Sequence, residues 1–192
     1  MSFKRRGIIT AAAVAVLILA ASIALHWFDH RPVQNKDTAI PKIGAMRIQS
    51  PEFELNGAIP SRFTCDGDNI SPALFISGVP EDAVSLALVV DDPDAPLGNW
   101  VHWLVWNIPP GTKDISEGAV LTGAVEGVTS FGKGGYGGPC PPSGTHRYFF
   151  KLYALDRMLP LGPEAEAGEL EAAMNGHVID KAGLVGVYSR AR

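Results

Sequence analysis

The sequence has no strong excess of charge of either sign. Its 192 residues include 16 basic and 20 acidic side chains, which are interspersed and give a net charge of −4. A nucleic-acid-binding surface needs clustered Lys and Arg to neutralise phosphates, so no nucleic acid is expected as a partner. No repeat with a period of roughly 20–50 residues is visible either, which argues against solenoids and propellers.

Cysteine is scarce, with only Cys65 and Cys140 in the chain. The sequence has no C-x-x-C pair and no Cys/His spacing suited to zinc, so a zinc finger is excluded and neither a metal nor another cofactor is expected. Both cysteines lie in Gly-, Pro- and Asp-rich loop sequence. An oxidising compartment would permit a bond between them, and the residues alone leave a disulfide and two free thiols equally open.

Charge is absent from residues 7–28, an apolar run that follows three basic residues at 4–6. About 20 apolar residues match the thickness of a bilayer core, and a basic flank stays on the cytoplasmic side. Residues 1–28 are therefore predicted to form a single-pass, N-in/C-out transmembrane anchor in the inner membrane, with the remainder in the periplasm or outside the cell. Ser22-Ile23-Ala24 has the small-residue spacing of a signal-peptidase site, so cleavage and secretion stay open as the alternative.

The remainder of the chain divides into a linker and one domain. Residues 29–45 are polar, contain Pro32 and Pro41 and have no apolar period, which is typical of a flexible linker. Residues 46–192 are long enough to bury a core of their own and are predicted to form a single domain. The sequence leaves a monomer and a homodimer both open.

Glycine and proline, 21 and 15 residues, cluster between apolar runs and favour a β-rich domain. Residues 163–174 are instead rich in helix formers and are followed by Asn175-Gly176, which predicts one helix near the C-terminus. The β-branched and aromatic runs predict three central strands, Ser85–Asp92, Trp100–Ile108 and Arg147–Leu155, and three shorter ones, Arg47–Phe53, Leu74–Ser77 and Leu184–Tyr188.

Each central strand carries one polar residue on or next to an apolar face: Asp92, His102 and His146. Because side chains alternate between the two faces of a strand, His102 is predicted to share a face with Leu104 and Trp106. A single histidine on such a face is more often a satisfied core residue than a ligand contact. The recurrence of such residues at strand ends, beside loops that can bring backbone N–H groups close to a ligand, favours a binding site.

Residues 127–133 have the spacing of a P-loop, but residue 134 is Gly where a Ser or Thr hydroxyl must hold magnesium. Nucleotide hydrolysis is therefore rejected. Two interpretations remain: an ordinary hairpin connection, or a flexible loop that runs into Gly138-Pro139 and closes one wall of a small anion pocket.

Six separated segments have a recognisable combination of residues: DPDAP at 92–96, WVHW at 100–103, NIP at 107–109, GP at 138–139, GTHRYFF at 144–150 and LYALD at 152–156. Together they resemble the phosphatidylethanolamine-binding-protein (Raf-kinase-inhibitor-like) family, with similarity from residue 46 to the C-terminus. The segments FTCDG at 63–67 and NISP at 69–72 further resemble its bacterial, YbhB/YbcL-type branch. The C-terminal helix of animal relatives has no clear counterpart after Tyr188.

The resemblance implies an antiparallel β-sandwich with one or two short helices near the C-terminus and a pocket for a small anion, such as phosphate or a phosphoethanolamine-like head group. It further implies a binding protein, or a modulator of a kinase or protease, without agreed catalytic chemistry. The alternative is a metal- or acid/base-dependent hydrolase that uses the same Asp and His residues. Carried over by motif, the pocket residues are Asp92, Asp94, Trp100, His102, Gly138, Pro139, His146 and Tyr148.

Two aspartates in an anion site require an explanation, since each would repel a phosphate. A carboxylate that accepts from one imidazole nitrogen fixes the tautomer and favours the charged ring, so that the other nitrogen can donate to the ligand. The Tyr148 hydroxyl and loop amides near Gly138 are expected to add neutral donors. The aspartates would then stand behind the histidines rather than face the ligand.

Overall fold

The structure, a computed structural model, describes residues 44–119 and 121–190, and these form a mainly β domain with one α-helix. The elements in chain order are β1 (Arg47–Gln49), β2 (Gly57–Ala58), a 3-10 turn (Ser61–Phe63), β3 (Leu74–Ser77), β4 (Ser85–Asp92), β5 (Trp100–Ile108), β6 (Asp114–Ile115), β7 (Val125–Glu126), β8 (His146–Leu155), α1 (Ala167–Met174) and β9 (Val178–Tyr188).

The strands form two sheets, a three-stranded sheet in the order β1-β3-β6 and a six-stranded sheet in the order β2-β9-β8-β4-β5-β7. The pairings are antiparallel except that of β2 with β9, which is parallel. The central strands of the larger sheet, β8, β4 and β5, are neighbours, so the ends of these strands can build one site.

Strand β4 is buried on both faces because the larger sheet lies between two apolar layers. Leu86, Leu88 and Val90 belong to the core shared with the smaller sheet. Ala87 and Val89 belong to a second cluster on the opposite face, which includes residues of α1. Alternation along β4 therefore turns Asp92 toward the first layer and Asp91 toward the second.

Helix α1 begins four residues after the start of the predicted helical segment. Its N-cap is Glu166, whose side chain accepts from the N3 backbone, while the Glu169 side chain accepts from the Glu166 amide at 3.0 Å. This capping box satisfies amides at the first turn. Past its C-terminal end, Gly176 has a positive φ of 80°. The helix near the C-terminus agrees with the prediction, at a length of eight residues.

The predicted fold class is wrong in its inclusion of an N-terminal transmembrane helix. Among residues 44–119 and 121–190, no helix has the length and apolar character needed to cross a bilayer. The predicted single-pass location in the inner membrane loses its support for the same reason. Segment 1–28, on which both predictions were placed, lies outside the described residues, as does most of the predicted linker 29–45.

Candidate functional site

A pocket of about 350 Å³ lies where the ends of β4, β5 and β8 meet. Four of the sequence-predicted site residues contribute to it: Asp92, Trp100, His102 and His146. The pocket is lined by Asp92, Ala95, Pro96, Leu97, Trp100, His102, Phe131, Cys140, Pro142 and His146.

Asp92 and His146 form a buried pair at one side of the pocket. The His146 Nδ1–H donates to Asp92 Oδ2 at 2.7 Å, and Asp92 Oδ1 accepts from the Asp94 amide at 2.9 Å. A carboxylate can only accept, so the proton of a neutral His146 lies on Nδ1. Nε2 is therefore the ring nitrogen of His146 that remains for a ligand.

His102 is the extra residue of a β-bulge in β5. Trp103 pairs with Val90 and Val101 with Asp91, so His102 has no partner on β4. Bulges change the direction of side chains near functional sites. Leu104 and Trp106 pack in the layer of α1, whereas the His102 ring contacts Tyr148, with ring centroids 5.2 Å apart. The face predicted for His102 by simple alternation is thus wrong.

The hydrogen bonding of His102 fixes its tautomer as well. Its Nδ1–H donates to the carbonyl oxygen of Gly137 at 2.6 Å, and its own carbonyl accepts from the Gly137 amide at 2.8 Å. Burial lowers the pKa of His102, and the Gly137 carbonyl and the Asp92 charge oppose that shift only in part. The ring is therefore neutral near pH 7, with an accepting Nε2.

Tyr148 lies against His102 and is fully buried. Tyr148 does not belong to the pocket lining. Within the described part of the chain its hydroxyl makes no hydrogen bond of good geometry, although it lies near the Asp92 side chain and the Cys140 backbone. Burial first, and then the nearby charge of Asp92, raise the pKa of Tyr148, so its hydroxyl keeps the proton. A buried hydroxyl without a partner costs about 1–3 kcal/mol, and a group of this kind beside a pocket needs an explanation.

Gly138 and Pro139 lie behind the pocket rather than in its lining. The Gly138 amide donates to the side-chain oxygen of Asn69 at 2.7 Å, and the Pro139 carbonyl accepts from the Cys65 amide at 3.1 Å. A Cβ at residue 138 would lie 2.6 Å from both Asn69 Oδ1 and the Phe63 carbonyl oxygen, so only glycine fits this approach. The amide that was expected to face a ligand is used inside the protein.

Asp94 also lies outside the pocket lining. It accepts from the Arg147 guanidinium at 2.8 and 2.6 Å and from the Arg147 amide at 3.0 Å. These hydrogen bonds hold the pKa of Asp94 below its usual range. The contacts fix the start of loop 93–99, whose residues Ala95, Pro96 and Leu97 line the pocket.

A second ion pair supports the same loop from the α1 side of the sheet. Asp91 Oδ2 accepts from Lys151 Nζ at 2.7 Å and from Asn99 Nδ2 at 2.9 Å. The Asp91 and Lys151 side chains are 3% and 10% exposed, so the pair is largely removed from water. Loop 93–99 is thus held at both ends by buried or partly buried carboxylates.

Sequence reasoning missed most of the apolar pocket lining, above all Phe131. The Phe131 ring packs edge-on against Trp100 and His102, with centroids 5.5 and 5.4 Å apart, and it occupies the space that a Cβ of Gly137 would need. It remains 40% exposed, and Leu97 is 92% exposed. The available signal was a phenylalanine among the glycines of a loop, at residues 127–138.

The two cysteines form a disulfide, Cys65–Cys140, with the Cα atoms 5.4 Å apart. The bond connects the loop after the 3-10 turn with the pocket-lining segment around Cys140. No group of three or more His, Cys, Asp or Glu side chains within residues 44–119 and 121–190 is arranged to hold a metal ion. The hydrolase alternative stays a prediction.

Comparisons with known proteins agree on one family. The family model for phosphatidylethanolamine-binding proteins matches residues 49–189. A UPF0098 protein of Methanothermobacter thermautotrophicus is 51% identical over 150 residues, which cover 76% of this chain and 99% of that protein.

Two crystal structures are similar as well. A phosphatidylethanolamine-binding-protein homologue from Chlamydia trachomatis has 41% identity and a TM-score of 0.75, over 78% of this chain and 100% of that one. Escherichia coli YbcL, described as a member of the mammalian family, has 34% identity and a TM-score of 0.72, over 76% and 99%. The chain therefore belongs to the phosphatidylethanolamine-binding-protein family, in its bacterial type.

Proposed function

We propose that the pocket binds a small oxyanion of the phosphate type and that the protein acts as a binding protein for molecules with such a group. The observation that carries the proposal is the pair of histidines in one pocket. Each has its Nδ1–H committed to a protein acceptor, Asp92 for His146 and the Gly137 carbonyl for His102. Both rings therefore have Nε2 left for a ligand.

The charges around the pocket favour an anion only when the imidazoles are protonated. A protonated ring donates from Nε2, and hydrogen bonds to charged groups contribute about 1.5–3 kcal/mol each. Asp92 accepts from His146 and from a backbone amide, so both of its oxygens are engaged by donors. It stabilises the imidazolium of His146 from behind instead of repelling the ligand directly.

The unpartnered hydroxyl of Tyr148 supports the same ligand chemistry. It keeps its proton and lies beside the His102 ring. A phosphate-type oxygen would give this donor an acceptor and remove the cost of leaving it unpaired. A ligand that offers only N–H donors has no acceptor for this hydroxyl or for the two imidazolium rings.

The size and lining of the pocket limit the rest of the ligand. A volume of about 350 Å³ lies at the small end of ligand sites. Pro96, Leu97, Phe131 and Pro142 make the lining beyond the histidines apolar. The lining therefore favours a compact oxyanion with an apolar or aromatic attachment. A free phosphate, a lipid head group and a phosphorylated side chain of a protein share the oxyanion itself and differ in what is attached to it.

Calorimetric titration of the full chain tests the proposal, with inorganic phosphate, phosphoethanolamine and phenyl phosphate as separate probes. We expect saturable binding near pH 6, weakened about tenfold or more in His102→Ala and in His146→Ala because each loses one charge-assisted hydrogen bond. His177→Ala is the matched control, since His177 bonds Asp156 and Arg157 outside the pocket.

The three probes also separate the sources of the phosphate group. A preference for phenyl phosphate would indicate that the apolar rim contributes, and a preference for phosphoethanolamine would indicate a head group. Absence of binding by all three, or equal affinities in the wild type and both pocket variants with unchanged folding, would contradict the proposal.

A further inference from the structure

The disulfide lies beside the candidate pocket and is accessible to solvent. Cys140 belongs to the pocket lining, and both Cys65 and Cys140 are exposed residues. A reagent can therefore reach the bond without unfolding of the domain. Exposed disulfides are the ones that exchange with external thiols, whereas structural ones are usually protected.

The segment that carries Cys140 has few other attachments. Residues 139–142 read Pro-Cys-Pro-Pro, so three of these four residues have no N–H to donate. In the described chain, no backbone–backbone hydrogen bond involves residues 140–145, and residues 142–145 are exposed. The Pro139 carbonyl accepts from the Cys65 amide, and β8 starts at His146. Between these two points the segment is held by the sulfur bridge and by the buried Pro141 side chain.

The loop on the other side of the bridge is held firmly. The amides of Thr64, Gly67 and Asn69 donate to carbonyls of the 3-10 turn region, with N–O distances of 3.0–3.1 Å. The Asp66 carboxylate accepts from the Tyr188 hydroxyl at 2.8 Å and from Arg190 Nε. The bridge thus ties a weakly held pocket wall to a loop that has its own hydrogen bonds.

We propose that the Cys65–Cys140 disulfide is a thiol–disulfide exchange site that controls the pocket wall formed by residues 140–145. Reduction releases this wall and weakens binding at the pocket. The effect on binding rests on the proposed function, whereas the release of the wall does not. The co-reactant is a dithiol, which supplies the two electrons.

The exchange proceeds in two balanced steps. A thiolate of the dithiol attacks one sulfur of the bridge, a mixed disulfide forms, and the other cysteine leaves as a thiolate that takes up a proton. The second thiol of the reductant then displaces the first cysteine and closes a cyclic disulfide. The protein gains two thiols, and the reductant is oxidised by two electrons.

The loss of affinity follows from the fraction of reduced molecules whose wall is still in place. The apparent dissociation constant equals the intrinsic one divided by that fraction. If the released wall, without backbone hydrogen bonds of its own, occupies the bound arrangement about one tenth of the time, affinity falls about tenfold.

The experiment compares the oxidised full chain with the chain treated with dithiothreitol under native conditions. Three readouts are taken: titrated thiols, circular dichroism, and NMR order parameters of the backbone amides of Ser143, Gly144 and Thr145. We expect two thiols to appear with native circular dichroism, and the order parameters of these amides to fall from about 0.85 to below about 0.6. The order parameters of residues 64–69 should stay unchanged and serve as the internal control.

Affinity for inorganic phosphate is then measured on both forms and on the double variant Cys65→Ser/Cys140→Ser. A loss of about tenfold in the reduced form and in the variant supports the proposal. Thiols that appear only on global unfolding, or unchanged order parameters at residues 143–145 after reduction, would overturn it, and so would lower order parameters with unchanged phosphate affinity. If the oxidised chain binds no phosphate, the proposed function fails, while the order parameters still decide whether the wall is released.

Discussion

Binding of an oxyanion to the pocket should take up about one proton, mainly at His102. The perturbation is a change of pH between about 5.5 and 8.5, across the usual range of histidine titration. In the free protein, burial lowers the pKa of His102, so the ring is neutral near pH 7 and presents a lone pair at Nε2. A bound anion reverses this preference because it favours the charged ring.

The expected magnitude follows from this proton. Above the pKa of the free ring, binding takes up one proton, and each unit of pH lowers the concentration of free protons tenfold. The affinity for the anion therefore falls by up to about tenfold per pH unit, which is about 1.4 kcal/mol. A charge-assisted hydrogen bond of about 1.5–3 kcal/mol extends this dependence over about one to two units before the bound ring also loses its proton.

Calorimetry in two buffers with different ionisation enthalpies counts the protons taken up. Phosphate monoesters titrate near pH 6 themselves, so a sulfate monoester or a sulfonate, which stays singly charged over this pH range, shows whether the proton goes to the protein. His102→Gln should remove most of the uptake, and His177→Gln should retain it. Equal affinity at both ends of the pH range, together with no proton uptake, would refute the assignment of imidazolium donors.

The same lowered pKa has a consequence for stability. The pKa of His102 in the folded chain lies below the usual value of 6.5. At pH values between the folded pKa and 6.5, the unfolded chain therefore binds more protons than the folded one. The contribution of neutral His102 to folding is fully present above about pH 6.5 and is lost as pH falls through 6.5 toward the lower folded pKa. Urea unfolding at about pH 5 and 7 should show this loss in the wild type and a smaller one in His102→Gln; a loss as large in the variant would contradict it.

Two further predictions concern the supports of the pocket. Gly138→Ala should lower the free energy of unfolding by about 1–3 kcal/mol, since the new Cβ would lie 2.6 Å from Asn69 Oδ1. The control is Gly168→Ala in α1, where a Cβ would have no atom within 4 Å; it should raise the free energy of unfolding by about 0.5–1 kcal/mol. Equal effects of the two variants in urea unfolding would contradict this. Lys151→Met should cost about 3–5 kcal/mol because it leaves the buried Asp91 carboxylate without its cation, and Lys151→Met/Asp91→Asn should recover part of that loss. Additive losses in the double variant would contradict the ion-pair argument.

The three central strands were predictable because their β-branched and aromatic residues favour a buried strand, and β4, β5 and β8 are mostly buried neighbours in the larger sheet. Strand β4 has the predicted bounds Ser85–Asp92, and β8 begins one residue early, at His146. Strand β9 begins at Val178 rather than Leu184. Its first half is interrupted by Asp180 and Lys181 and has no apolar run, but it pairs with β8, so that β9 covers the whole length of that strand. The two-residue strands β2, β6 and β7 exist only through their partners, and no local pattern indicates them.

The candidate site was partly predictable for a similar reason. Asp92, Trp100, His102 and His146 stand at the ends of recognisable strands, and these ends meet at one pocket. The bulge at His102 depends on the register between β4 and β5, and the hydrogen bond from Gly138 to Asn69 joins loops that are far apart in the chain. Neither the bulge nor this hydrogen bond produces a periodic pattern in the sequence, so neither could be predicted from the sequence alone.

The most direct test of the account is NMR of the imidazole nitrogens during titration of the full chain with inorganic phosphate near pH 6. The account predicts that the Nε2 resonances of His102 and His146 shift together and saturate with one affinity, and that those of His102 move toward values for a protonated ring, while those of His177 stay in place. Binding of phosphate that leaves the nitrogens of His102 and His146 unchanged would contradict the claim that these two imidazoles hold the oxyanion.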